Sequence, residues 1–271
     1  MEDLDNLLTV ENLRKTYGGA RAVEHVAFGV RAGEVVGLLG PNGAGKSTTL
    51  HCITGIIEPS GGSVSLCNMP ADDPRAKDMF GLLPDDLPLP ASLRASEVLA
   101  LHRKLRPRFD QELADELLGL VGLSNELTKP VGDYSHGMKR KLHLVAALAH
   151  HPRLLILDEP LRGLDPEAAI LIRTMMETFK EQGGGVLFAT HDLLAAEHFC
   201  DRVVIMADGS AIASGAPDEL MKRSNTISLE QFFVQVTGLI GRIAESEETV
   251  RHLSLAGASG GNTESREGSV T

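Results

Sequence analysis

The stretch GPNGAGKSTTLHCITG, residues 40–55, decides the fold. From Gly40 to Ser47 it fits G-x-x-x-x-G-K-[ST]. It follows a short apolar run, VVGLL (35–39), and opens a helical segment that stops near Gly55. Strand, glycine-rich loop, helix is the context in which this spacing makes a phosphate cradle. The glycines let successive backbone N–H groups wrap the phosphates. Lys46 reaches the β- and γ-phosphates, and the Ser47 hydroxyl ligates Mg²⁺. The candidate nucleotide-binding residues here are Gly40, Pro41, Asn42, Gly43, Ala44, Gly45, Lys46, Ser47 and Thr48.

Such a loop needs a second metal holder at the end of a nearby buried strand. LLILDEP (154–160) supplies one, with Asp158 placed to hold Mg²⁺ and Glu159 beside it to polarise a water for attack on the γ-phosphate. A second buried run, VLFAT (186–190), ends at His191. In a parallel α/β sheet ligands collect at the carboxyl ends of strands, so Gly40, Asp158 and His191 are expected to converge, with His191 acting at the γ-phosphate. Tyr17 precedes a Gly pair upstream of the loop. Taken alone it reads as a loop aromatic packed on the core, although an aromatic there can also stack on a nucleobase.

Apolar alternation at Val26, Phe28 and Val30 marks a strand, as does the run over 7–17. From about 87 to 151 helical periodicity takes over, at 96–105, 111–121 and 135–149, with breakers at Pro107 and Pro130. Strands and helices then alternate, with a helix over 166–182 and a hairpin about Asp208-Gly209. The expected division is an ATPase core over 7–222 with a helical insertion at about 87–151. A short amphipathic segment over 223–243 and a small, polar, disordered tail over 244–271 follow.

The chain of 271 residues is 42% hydrophobic and carries a net charge of −11. The first supports a sizeable α/β core; the second gives no overall electrostatic footprint for nucleic acid, and none is expected as a partner. Cys52, Cys67 and Cys200 are scattered, as in a cytosolic protein with reduced thiols. The first residues, MEDLDNLLTVENLRK, do not read as a signal peptide. No apolar run approaches the ~18 residues of a membrane span, so a membrane role requires a partner.

One stretch is left over. DYSHGMKRKL (133–142) looks like a helix start that holds an anion. Ser135 is a good N-cap and Gly137 permits close approach, yet Lys139, Arg140 and Lys141 crowd an end where the helix dipole disfavours cations. The chain already has a better phosphate cradle near residue 40, which leaves open whose phosphate this second one would hold, or whether it is an ordinary capped helix with solvated lysines.

Together these motifs resemble the ATP-binding subunit of an ATP-binding cassette (ABC) transporter over about residues 7–220. GPNGAGKST is its P-loop, YSHGM (134–138) its signature, LDEP (157–160) its metal and base site, GLD (163–165) its D-loop, His191 its switch histidine and Tyr17 its base-stacking aromatic. The resemblance implies an α/β P-loop ATPase core with a mainly parallel sheet, an antiparallel β subdomain and an inserted α-helical subdomain. It implies ATP and Mg²⁺ as cofactors and a separate transmembrane permease as partner. It also implies a second copy or related subunit, paired head to tail, whose ATP is closed on by Ser135, Gly137 and their helix. The chain would then lie on the cytoplasmic face of the membrane. Two departures stand out: His136 replaces a glycine of the signature, and Asp85 replaces a glutamine, where an acid can ligate the metal or a water. Both departures, and SLEQFF (228–233), resemble subunits that serve small-molecule exporters. The alternative is a soluble ABC ATPase acting on a non-transport assembly.

Overall fold

The computed structural model describes residues 5–86 and 89–239. β1 (Asn6–Tyr17) and β2 (Ala20–Arg31) form a long antiparallel hairpin. Its two-residue turn, Gly18-Gly19, takes positive φ at both positions, which glycine adopts without steric cost. β3 (Val35–Leu39) is buried along its whole length and delivers the chain to the P-loop and α1 (Lys46–Ile53). β4 (Gly61–Leu66) and β5 (Met69–Pro70) complete a four-stranded antiparallel sheet in the order β2-β1-β4-β5.

β6 (Phe80–Leu83) leads into three helices, α2 (Ala95–Leu105), α3 (Gln111–Leu120) and α4 (His136–Leu148). Then come β7 (Leu154–Asp158), α5 (Pro166–Glu181), β8 (Gly185–Thr190) and α6 (Leu193–Phe199). β9 (Arg202–Ala207), β10 (Ser210–Gly215), α7 (Pro217–Ser224) and α8 (Leu229–Val236) close the described chain. The main sheet runs β10-β9-β3-β8-β7-β6, parallel from β9 to β6, with β10 antiparallel at its edge.

Strand alternation builds a core on both faces of this sheet. Val36, Leu38, Ile156, Leu187 and Val204 face the antiparallel sheet, where Leu8, Val10, Leu13 and Phe28 meet them. Val35, Leu39, Leu157 and Phe188 face Ile172 and Met176 of α5 and Phe232 and Phe233 of α8. A third cluster holds α2, α3 and α4 together through Val98, Leu118, Leu142 and Val145. α4 serves two clusters, because its Leu144 packs in the core beneath the main sheet.

The parallel sheet, the antiparallel layer and the three inserted helices match the expected architecture. α6 and α7 were not anticipated. Only β10 breaks the parallel run, as the hairpin about Asp208-Gly209 required. The expected tail over 244–271 lies outside the described residues. Among the described residues no helix is long and apolar enough to cross a membrane.

Candidate functional site

The strand order places four chain segments side by side at one edge of the main sheet. β3 ends in the P-loop; its neighbour β8 ends in Thr190 and His191. Next to it β7 ends in Asp158 and Glu159, and β6 runs out towards Asp85. Register pairs Leu39 with Thr190, Ala189 with Asp158 and Leu157 with Leu83, so the ends are level. This is the carboxyl edge, where open α/β sheets bind ligands.

The P-loop needs its glycines. Gly43 and Gly45 lie at φ 83° and 97°, and a β-carbon on Gly40 would come within 2.6 Å of the Met206 carbonyl oxygen. Among the described residues no side chain caps the N-terminus of α1 and no acid stands in its first turn, which suits an incoming anion. The Lys46 ammonium turns back into the loop, donating to the carbonyls of Gly40 (2.6 Å) and Pro41 (3.3 Å). Burial lowers its pKa, opposed by the charges of Glu159 and Asp158. A cavity of about 200 Å³ is lined by Ala22 and residues 41–48.

Opposite the loop, Asp158 is buried and accepts a hydrogen bond from Ser47. Burial, then the charges of Asp85 and Glu159, push its pKa up to about 6, against the pull of Ser47 and Lys46. An acid this crowded by other acids suits a cation, and Mg²⁺ needs only one or two protein ligands beside water and phosphate oxygens. Ser47 and Asp158 offer that donor set.

Glu159 is held from two sides. Its Oε1 accepts from the His191 backbone N–H (3.0 Å) and lies 2.7 Å from His191 Nδ1, and its Oε2 accepts from the Thr190 hydroxyl (3.1 Å). The His191 ring is largely exposed, so the carboxylate is anchored without being sealed from water. The expected convergence of Gly40, Asp158 and His191 is present, and Thr190, not singled out from the sequence, joins it. Tyr17 stands at the hairpin tip, 45% exposed, with the Lys15 ammonium 5.1 Å from its ring centroid. It does not line the P-loop cavity.

The signature region faces elsewhere. Ser135 caps α4, its hydroxyl accepting from the Met138 N–H at 3.2 Å. His136 and Gly137 abut the D-loop, near Gly163 and Leu164. None of residues 134–138 lines the P-loop cavity. His136 instead lines a separate space of about 430 Å³ with Pro84, Asp85, Lys139, Arg140 and His143.

One expectation is corrected here. Arg140 is not one of three cations crowding an anion site; it is buried. Its guanidinium donates to the Glu159 carbonyl and, at 3.0 Å, to Asp85 Oδ1. Asp85 meets two arginines: its Oδ1 accepts from Arg140 and its Oδ2 from Arg162 at 2.6 Å.

A glycine-bounded phosphate loop, a buried acid and an anchored carboxylate at the carboxyl edge of a parallel sheet define a P-loop ATPase. Residues 23–162 match the family described as ABC transporter. YxlF of Bacillus subtilis (strain 168), an ABC transporter ATP-binding protein, is 40% identical over 223 residues, covering 81% of this chain and 74% of YxlF. Nod factor export ATP-binding protein I of Burkholderia orbicola (strain AU 1054) is 37% identical over 216 residues, 78% of this chain and 71% of that protein. A solved ATP-binding subunit of an ABC transporter superposes with a TM-score of 0.80 at 33% identity, covering 85% of this chain and 99% of that one. The chain belongs to the ATP-binding subunits of ABC transporters.

Proposed function

We propose that this chain binds ATP with Mg²⁺ in the P-loop, hydrolyses it with Glu159 as general base, and so drives a separate membrane permease in export. The observation that carries the reading is the Glu159 carboxylate, held by His191 and Thr190 one strand away from the phosphate loop. ATP arriving at the loop takes the Lys46 ammonium from its own carbonyls, which serve as stand-ins for phosphate oxygens. Ser47 and Asp158 would hold Mg²⁺, which would supply positive charge to the phosphates. Glu159 accepts the proton of the attacking water, and His191 holds the carboxylate in line and reaches towards the γ-phosphate. Tyr17 is assigned to the base.

Ser135 and Gly137 are assigned to the γ-phosphate of a second copy or a related subunit. Two phosphate-seeking helix starts in one chain, with no signature residue in the P-loop cavity, support that arrangement. The ATPase domain is taken as 7–222. The permease contact is placed on the inserted helices, about 87–106, and the chain on the cytoplasmic face. Export rests on the relative named for Nod factor export.

Glu159→Gln tests the assignment of the general base. Because general base catalysis contributes about 10²–10⁴-fold, phosphate release in a single turnover should fall by that order while ATP binding is kept. Release at the wild-type rate would remove Glu159 from the role.

A further inference from the structure

Glu159 is a non-glycine residue at φ 48°. The left-handed region costs a residue with a β-carbon free energy, and it persists only where the surroundings over-determine it. Here the peptide is gripped from several sides. The Glu159 N–H donates to the Ala189 carbonyl at 2.8 Å, and its carbonyl accepts from the Arg162 N–H at 3.1 Å and from the Arg140 guanidinium.

These contacts continue into a closed ring. Arg140 donates onward to the Asp85 carboxylate (3.0 Å) and carbonyl (3.3 Å), Asp85 accepts from the Arg162 side chain (2.6 Å), and Arg162 returns to Glu159 through its own N–H. The ring joins the segment after β6, the middle of α4 and the turn after β7. Arg140 is 3% exposed, so its charge is satisfied inside the protein or not at all.

We infer that Arg140 and Asp85 act as one positioning unit: the guanidinium, held by Asp85, fixes the Glu159 peptide and thereby aims its carboxylate. Neither residue lines the P-loop cavity. The inference rests on the reading of Glu159 as base. It also gives Asp85 its reason: glutamine at this position cannot neutralise a buried arginine, so the acid at 85 and the arginine at 140 belong together. Asp85→Gln is therefore damaging in this chain.

The test is a cycle of four full-length chains: wild type, Asp85→Gln, Arg140→Gln, and the two combined. For each, kcat and KM for ATP hydrolysis are measured together with the thermal unfolding midpoint. Each single variant should lose about tenfold or more in kcat with KM changed by less than about twofold, the mark of an interaction felt in the reaction and not in ATP binding. The combined variant should lose no more than the worse single variant, because the two residues act as one unit and removing either already disables it. Asp85→Asn, closer in shape, is read the same way should Asp85→Gln not fold. Folded single variants with wild-type kcat, or losses that simply multiply in the combined variant, would overturn the inference. A wild-type chain that binds ATP without hydrolysing it would sink the reading of Glu159, and this inference with it.

Discussion

The hydrolytic edge and the signature helix both present a helix start to an anion, but they are finished to different degrees. At the edge the polar side chains have their counterparts within the chain. Lys46 rests on loop carbonyls, Ser47 on Asp158, and Glu159 on Thr190 and His191. At the signature, Ser135 caps its own helix, and the nearby charge that looked available, Arg140, is spent on Asp85 and Glu159. In the proposed function the first region holds the chain's own ATP, and the second becomes a site when another chain brings the phosphate. On that proposal, motifs of equal prominence in a sequence differ in whether one chain completes them.

That contrast predicts unequal responses to mutation. Lys46→Ala strikes the finished site and should have the larger effect. Losing a charged partner of the phosphates costs about 1.5–3 kcal/mol, so ATP should bind roughly 10- to 150-fold more weakly in an equilibrium titration of the isolated chain. Unchanged affinity would mean that Lys46 stays on the Gly40 and Pro41 carbonyls when ATP binds. Ser135→Ala strikes the unfinished region and should leave ATP affinity of the isolated chain at the wild-type value. Its cost is the lost cap, about 1 kcal/mol of stability, seen as a drop of about 2–4 °C in the thermal midpoint for a chain of this size. A large loss of ATP affinity in Ser135→Ala would show that the two regions serve one phosphate within one chain.

How far the sequence disclosed this molecule follows the same division. Local patterns carried the P-loop, Asp158, Glu159, His191 and the inserted helices, because each rests on spacing within a few residues. α7 had its boundary signals too: Pro217 at its start, acids in the first turn, bases in the last and Asn225 in the left-handed cap. Its eight residues were too few for periodicity to announce it. Arg140 was hidden for a different reason. Within the run KRK nothing distinguishes the cation that turns inward; only the packing of α4 against β6 and the main sheet selects it. Asp85 was visible as a departure, but its partners lie 55 and 77 residues away, a pairing that no local rule supplies. Contacts between elements, not residues within them, were the unreadable part.

The central claim is that Ser135 serves a neighbour's ATP, and mixed dimers test it most directly. One copy carries Lys46→Ala, the other Ser135→Arg, and both carry Glu159→Gln so that turnover does not blur the count. Mixed dimers are isolated through two different tags and the trapped nucleotide is measured. If the signature acts across the dimer, both lesions fall in one composite site, the other site is intact, and the mixed dimer traps nucleotide that neither mutant homodimer holds. A parallel mixed dimer, pairing the Lys46→Ala/Ser135→Arg chain with an otherwise intact copy, then has a lesion in each site and should trap none. The reverse pattern, trapping in the second mixed dimer and none in the first, would contradict the account by placing Ser135 and Lys46 on the same ATP.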